Sequence, residues 1–208
     1  HAVSGLLSVP ADTRACLVLA PGAGAGMTHS FMAAVAEGLA QRRMASLRYQ
    51  FPYMQARSKR PDRPALATGT VRAAVADAVR RFPDVPVYAG GKSFGGRMTS
   101  LAQAQTPLPG VRGLVFLGFP LHAAGRPSTD RAHHLSGVGV PMLFVQGTRD
   151  PLADPGLIGP VIAALGSRAT LLEVAEADHS FHVPVRSGRT DTEVMSWVLD
   201  RIADWMAR

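Results

Sequence analysis

Val85-Pro86-Val87-Tyr88-Ala89-Gly90-Gly91-Lys92-Ser93-Phe94-Gly95-Gly96 is the stretch on which the fold turns. Its first six residues, Val85–Gly90, read as a short buried strand, and an amphipathic stretch, Gly95–Gln105, reads as the helix that follows. Between them lies G-x-S-x-G: Gly91, Ser93 and Gly95. A serine on so sharp a strand-to-helix turn is held in a strained backbone conformation, so the residues two before and two after it must lack bulk. Its hydroxyl then stands above the sheet edge at a helix N-terminus, where negative charge is favoured. Gly91-Lys92-Ser93 also looks like the end of a phosphate-binding loop. That motif needs a glycine five residues before Gly91, where Pro86 stands. A glycine-rich turn carrying an incidental serine is the plainer alternative.

Outward from this turn, apolar β-rich runs alternate with longer amphipathic ones. Strands are expected at Gly5–Val9, Ala15–Ala20, Ala45–Phe51, Val111–Leu117, Met142–Gly147 and Ala169–Val174. Helices are expected at Ser30–Arg43, Ala65–Arg81, Pro155–Leu165 and Asp191–Met206. In the last of these Val194, Trp197, Val198, Ile202 and Trp205 form one stripe. Leu114–Leu117 and Met142–Val145 are continuous apolar runs, the mark of strands buried on both faces. Regular alternation of this kind predicts an α/β fold, with a mostly parallel sheet and helices on both sides. Ligands of such sheets bind beyond the carboxyl ends of the strands, so the residues just after each strand carry the most information.

Three such segments stand out. After Ala15–Ala20 comes Pro21-Gly22-Ala23-Gly24-Ala25-Gly26. A dinucleotide fingerprint starting at Gly22 would need glycine where Met27 stands, and an acid about 20 residues on; none occurs between Glu37 and Asp62. Small residues instead leave backbone N–H groups free to face a developing oxyanion, and the N–H groups of Ala23 and Phe94 are the expected donors. After Met142–Gly147 comes Thr148-Arg149-Asp150-Pro151, with Asp150 the expected orienting carboxylate and Asp154 the alternate. After Ala169–Val174 comes Ala177-Asp178-His179-Ser180-Phe181-His182, with His179 the expected base. His182 is set aside because Pro184 steers the chain away from the sheet edge, and Asp178 is expected only to shape the loop. His179-x-x-His182 and His133-His134 have no companion ligands, so the reading expects no metal and no cofactor.

Composition narrows the partners. A chain of 208 residues with 47% hydrophobic and 18% charged residues fits one globular domain, here 1–208. Its one cysteine, Cys16, excludes an internal disulfide and reads as a buried, inert thiol. The net charge of +7 comes from 22 basic residues, of which only Lys59 and Lys92 are lysines, a pattern that fits a GC-rich genome. Gly38 to Pro61 holds Arg42, Arg43, Arg48, Arg57, Lys59 and Arg60 with no acid. A solvated basic face is the plain reading, and attraction of an anionic acyl substrate is its competitor. Nucleic acid is not expected, since aromatic residues make up only 6% and no recognition motif is present. The uncharged stretch Ala15–Ala36 is broken by Pro21 and three glycines, so no membrane span is expected. The N-terminal residues lack the pattern of a signal peptide, which leaves a cytoplasmic location as the expectation.

Chain order joins the pieces. Ser93, Asp150 and His179 each follow a strand, in the Ser…Asp…His order of α/β-hydrolases. On these residues the sequence resembles the α/β-hydrolase superfamily, in particular its small, lidless, dienelactone-hydrolase-like branch. Phe51-Pro52-Tyr53-Met54, Gly91–Gly96 and Leu117-Gly118-Phe119-Pro120-Leu121-His122 are most similar to bacterial relatives of a hydrolase-like subunit of a chromatin complex. Pro21 departs from the pattern, standing where many relatives have histidine. The resemblance implies one α/β-hydrolase domain of six to seven strands and a serine hydrolase acting on small carboxylic esters or thioesters through an acyl-enzyme. Phe51, Tyr53, Met54, Phe119 and Leu121, with Phe94, are the expected acyl-pocket lining, against the alternative that they are ordinary core. Only 24 residues separate Leu117 from Met142, too few for a lid domain, so an open site favouring short acyl groups is expected. The segment Arg57–Arg60 is expected near its mouth. The competing function is a catalytically silent hydrolase fold serving as an interaction module. Oligomeric state stays open.

Overall fold

The computed structural model describes residues 2–208. Seven strands form one sheet: β1 Gly5–Ser8, β2 Ala15–Ala20, β3 Met44–Tyr49, β4 Val87–Lys92, β5 Val111–Leu117, β6 Met142–Gly147 and β7 Ala169–Val174. Their order is β1-β3-β2-β4-β5-β6-β7. Only β1 runs antiparallel to its neighbour, and every other pairing is parallel. The chain goes from β2 outward to β3 and then returns to place β4 on the other side of β2. That reversal is a topological switch point, and the loops leaving β2 and β4 part there and open a crevice.

Six helices cover the two faces: α1 Ser30–Gln41, α2 Pro52–Gln55, α3 Pro64–Arg81, α4 Phe94–Gln105, α5 Pro155–Ala164 and α6 Asp191–Met206. The period-two geometry of a strand sorts its side chains between those faces. Cys16, Val18 and Ala20 of β2 face α3, α4 and α5, with Val75, Met98 and Ile158 in the same core cluster. Ala15, Leu17 and Leu19 face α1 and α6, with Val35, Leu39, Val194 and Val198. β5 divides the same way, Leu114 and Phe116 to the first side, Val115 and Leu117 to the second. Hence both faces of the central strands are buried, as their apolar runs require.

Five strands, and the helices α3 to α6, have the expected bounds or differ by one residue. The start of α6 is fixed by a capping box in which Thr190 and Glu193 satisfy each other's backbone N–H groups. β4 is displaced two residues toward the C-terminus of its expected range. Pro86 has no N–H to give a ladder, whereas Lys92 pairs in register with Leu117. β3 stops at Tyr49 because Phe51 caps a short helix that starts with Pro52, an element the periodicity is too short to reveal. Likewise unforeseen is the 3-10 segment Asp130–Gly137, which lies in the connection from β5 to β6 and packs against α4 without forming a lid. Cys16 is fully buried, and that burial pushes its thiol up to about 12.

Candidate active site

Ser93 lies between β4 and α4 with φ 50° and ψ −116°, a conformation sparsely populated by any residue bearing a Cβ. The strand ladder imposes it. Ser93 N–H donates to Leu117 O at 3.1 Å, which pins the residue to β5, while α4 must start at once. The flanking glycines are sterically required. A Cβ on Gly91 would lie 2.3 Å from Ala20 O, and one on Gly95 would lie 2.5 Å from the same oxygen. β2 therefore passes directly beneath the turn.

The loop after β2 runs alongside it. A Cβ on Gly22 would sit 3.8 Å from Ser93 Cβ, so Ala23 follows at the edge of the serine. Among the described residues the N–H groups of Ala23 and Phe94 have no protein acceptor, and Phe94 is the first residue of α4. Two unused donors thus flank one serine, as helix ends and small-residue loops permit.

Asp150 is brought in by the turn after β6. Its side chain is fully buried, and Oδ2 accepts from His179 Nδ1 at 2.7 Å. Gln146 Nε2 donates to the same oxygen at 2.5 Å, and Leu152 N–H donates to Oδ1 at 2.8 Å. Both oxygens of this buried carboxylate are thus supplied with donors. Gln146 is itself fixed, because its Oε1 accepts from Phe119 N–H at 2.9 Å. The alternate acid, Asp154, is engaged elsewhere: it caps α5, accepting from Gly156 N–H at 2.8 Å, and its own N–H donates to His122 Nε2.

His179 rides on a loop that Asp178 folds. Asp178 Oδ1 accepts from the N–H groups of Ser180 and His182 at 2.7 and 3.0 Å. The ring of His182 points away and pairs with Asp191 at 2.8 Å, two-thirds exposed; that carboxylate raises its pKa. The second anchor of the loop is Lys92, whose Nζ donates to the backbone carbonyl of His179. Its ammonium also lies 5.6 Å from the Phe31 ring and 5.4 Å from that of Phe181. Burial lowers its pKa to about 8, against the opposing pull of Asp150 and Asp178. The residue before the serine is thereby tied to the residue that carries the ring.

Ser93 and His179 both face a cavity of about 980 Å³, which also receives Gly22 and Ala23. No side-chain hydrogen bond of Ser93 Oγ is formed among the described residues; bonds of this kind often tighten only when substrate is bound. The cavity lies on the α1 and α6 side of the sheet, with Phe31, Phe181 and Met195 in its wall. The residues expected to line an acyl pocket are elsewhere. Phe51, Tyr53, Phe119 and Leu121 are buried in the cluster facing α3, α4 and α5, and Met54 and Phe94 pack against it. β3 and β5 end with their aromatic residues turned to that face, where Phe51 meets Phe94 edge-on at 5.3 Å. Only Tyr53 reaches toward the site, its hydroxyl accepting from Gly24 N–H at 3.4 Å. Arg57, Lys59 and Arg60 are exposed and none of them lines the cavity. Among the described residues no three His, Cys, Asp or Glu side chains gather as a metal site.

Lys92 and Gln146 have site contacts that the sequence reading did not assign. Lys92 carried a signal: it is one of two lysines, placed at the end of a buried strand. Gln146 carried the same one, a polar residue closing an apolar run.

A mostly parallel sheet with its switch point beneath a strained serine, and a buried aspartate paired with a histidine after the strands beyond it, defines the α/β-hydrolase class. The family described as an alpha/beta hydrolase domain matches residues 13–207, and the chain belongs to that family. Among solved structures it is similar to a dienelactone hydrolase from Anabaena variabilis, with 21% identity, 98% of this chain and 90% of that one covered, and a TM-score of 0.77. It is also similar to a serine hydrolase without a lid from Xanthomonas campestris, at 19% identity, 98% and 89% coverage and a TM-score of 0.73. Est1E from Butyrivibrio proteoclasticus, solved with ferulic acid bound, gives 16% identity, 97% and 96% coverage and a TM-score of 0.70. At these identities the likeness is one of fold: a lidless hydrolase domain. No helix among the described residues is long and apolar enough to cross a membrane.

Proposed function

We propose that the protein is a serine hydrolase of carboxylic esters or thioesters that works through an acyl-enzyme on Ser93. The observation that carries this reading is the 2.7 Å contact of His179 Nδ1 with buried Asp150, on a cavity wall shared with Ser93. Nδ1–H donates to the carboxylate, which leaves Nε2 unprotonated and free to take the Ser93 proton. Oγ attacks the acyl carbonyl, and the oxyanion accepts from the N–H groups of Ala23 and Phe94. Losing one such donor costs about 3 kcal/mol in the transition state. The imidazolium, stabilised by Asp150, returns its proton to the leaving alkoxide or thiolate as the tetrahedral intermediate collapses. Water, deprotonated by the same Nε2, then attacks the acyl-enzyme and releases the acid.

The test is labelling with a fluorophosphonate probe, followed by mass spectrometry of the modified peptide. Labelling is expected at Ser93 and is expected to vanish in Ser93→Ala together with esterase turnover. Failure to label the wild-type protein would favour the interaction-module reading, and labelling at another serine would overturn Ser93 as the nucleophile.

A further inference from the structure

The cavity is elongated, larger than the short acyl groups that the short connections lead one to expect would need. Its wall starts at Gly22, Ser93 and His179 and continues along α1 as far as Arg42 and along α6 from Asp191 to Leu199. The part on α1 covers its full 12 residues, which at the helical rise is about 18 Å. A volume of about 980 Å³ is at the upper end of the range for small-molecule sites, and an acetyl group would leave nearly all of it unfilled.

Its chemistry changes along its length. Next to Ser93 the wall is Phe31, Met32 and Phe181, and beyond them come Ala34, Met195 and Leu199. Phe31 and Met195 are only half-buried although they face each other's helices. α1 and α6 meet where a Cβ on Gly38 would lie 2.4 Å from Leu199 Cδ1, and both residues line the trough beside Ala34 and Met195. Charged side chains also line it: Lys92 beside Ser93, Glu37 on α1, Asp191 at the start of α6 and Arg42 at the far end. At that end Arg42 is paired with Asp200 at 2.7 Å, and Lys92 is engaged by the His179 carbonyl, so neither is left free for an acidic head group.

Resting on the hydrolase reading above, we propose that the channel between α1 and α6 receives an extended apolar chain of the substrate. Its reactive carbonyl lies at Ser93 and its tail points toward Arg42. The chain is a fatty acyl group or a long alkyl alcohol, two sources of the same hydrocarbon chemistry. Continuity of the trough with the Ser93 and His179 wall argues for substrate as its occupant and against a peptide or a second copy of the chain.

Two assays test this. In the first, kcat/KM is measured for nitrophenyl acetate, butyrate, octanoate and laurate, and for ethyl, octyl and dodecyl acetates. One of the two series is expected to rise at least tenfold from its shortest to a longer member, which identifies the acyl or the alcohol arm. Ala34→Phe places a ring in the trough from an exposed helix position, and Met195→Phe does so from the opposite wall. Each is expected to reduce the long-to-short ratio tenfold or more. In the second, laurate is titrated calorimetrically into the Ser93→Ala protein, and the same two changes are expected to weaken binding tenfold. Two flat series and no laurate binding overturn the channel. Laurate binding without hydrolysis of any ester upholds the channel and overturns the hydrolase reading.

Discussion

Lys92→Met is expected to make the protein more stable and less active. The ammonium is buried and has its pKa lowered from 10.5 to about 8. At about 1.4 kcal/mol per pH unit, its charged form is disfavoured in the folded state by about 3 kcal/mol. Methionine has a similar length and no charge, so it relieves that cost and still packs between the Phe31 and Phe181 rings. It cannot donate to the His179 carbonyl, and leaving that oxygen unpaired costs about 1–3 kcal/mol. The difference is a gain of about 1 kcal/mol at pH 7, which for a chain of this size is a Tm rise of about 2–4 °C. The sign with pH follows from proton counts. Between pH 8 and 10.5 the unfolded chain keeps the lysine proton that the folded protein has released, so wild-type stability rises with pH there. The advantage of the variant is therefore full below pH 8 and gone above 10.5. Activity goes the other way: with the His179 loop no longer tied to the serine turn, kcat is expected to fall about tenfold to a hundredfold, with KM little changed. Thermal unfolding across that pH range and steady-state kinetics on one ester give both numbers. A variant whose advantage over wild type is smaller at pH 7 than at pH 10, or one as active as wild type, would refute the reasoning.

Asp150→Asn is expected to lower kcat by about 10⁴, since an amide favours the wrong imidazole tautomer. Asp154→Ala is expected to keep its activity and lose about 1 kcal/mol of stability with the α5 cap, read as a shift in the urea midpoint. His179→Ala is expected to lose several orders of magnitude in kcat while His182→Ala stays within about tenfold of wild type; steady-state rates on one ester compare them. Cys16, with its thiol at about 12, is expected to resist iodoacetamide in the native protein and to react once it is unfolded, which mass spectrometry follows.

The sequence made the sheet and the order of its site residues readable, because both follow from local rules. Apolar runs of strand length, glycines two before and two after Ser93, and an acid and a histidine just after later strands all act over a few residues. The placement of the cavity was not readable. Phe51, Tyr53, Phe119 and Leu121 follow strand ends, as an acyl pocket would require, but which face a side chain takes after a strand ends depends on how the next element starts. Pro52 opens a helix directly after Phe51 and turns Tyr53 under the α3 side. Conversely, nothing local marks Phe31 and Met195, 164 positions apart in the chain, as two walls of one trough. Lys92 was hidden for a similar reason: its partner is a backbone carbonyl 87 residues away, and backbone acceptors leave no trace in residue type.

The strain at Ser93 can be measured apart from its chemistry by comparing two inactive variants. Its φ of 50° and ψ of −116° suit a residue without a Cβ, and for serine they cost about 1–3 kcal/mol. Alanine keeps the Cβ and hence the cost, so Ser93→Ala should unfold within about 0.5 kcal/mol of wild type. Glycine removes the clash but gives the unfolded chain more freedom, a loss of about 0.4–1 kcal/mol. Ser93→Gly is therefore expected to exceed Ser93→Ala by about 1 kcal/mol, seen as a higher urea midpoint with the same slope. Both variants lack the hydroxyl, so catalysis, substrate and probe chemistry cancel in the comparison. If glycine is the less stable of the two, the turn is not strained at this position, and Gly91 and Gly95 serve only the close approach of β2. If glycine is the more stable, the protein keeps serine there at a cost in stability, which a turn with an incidental serine gives no reason to bear.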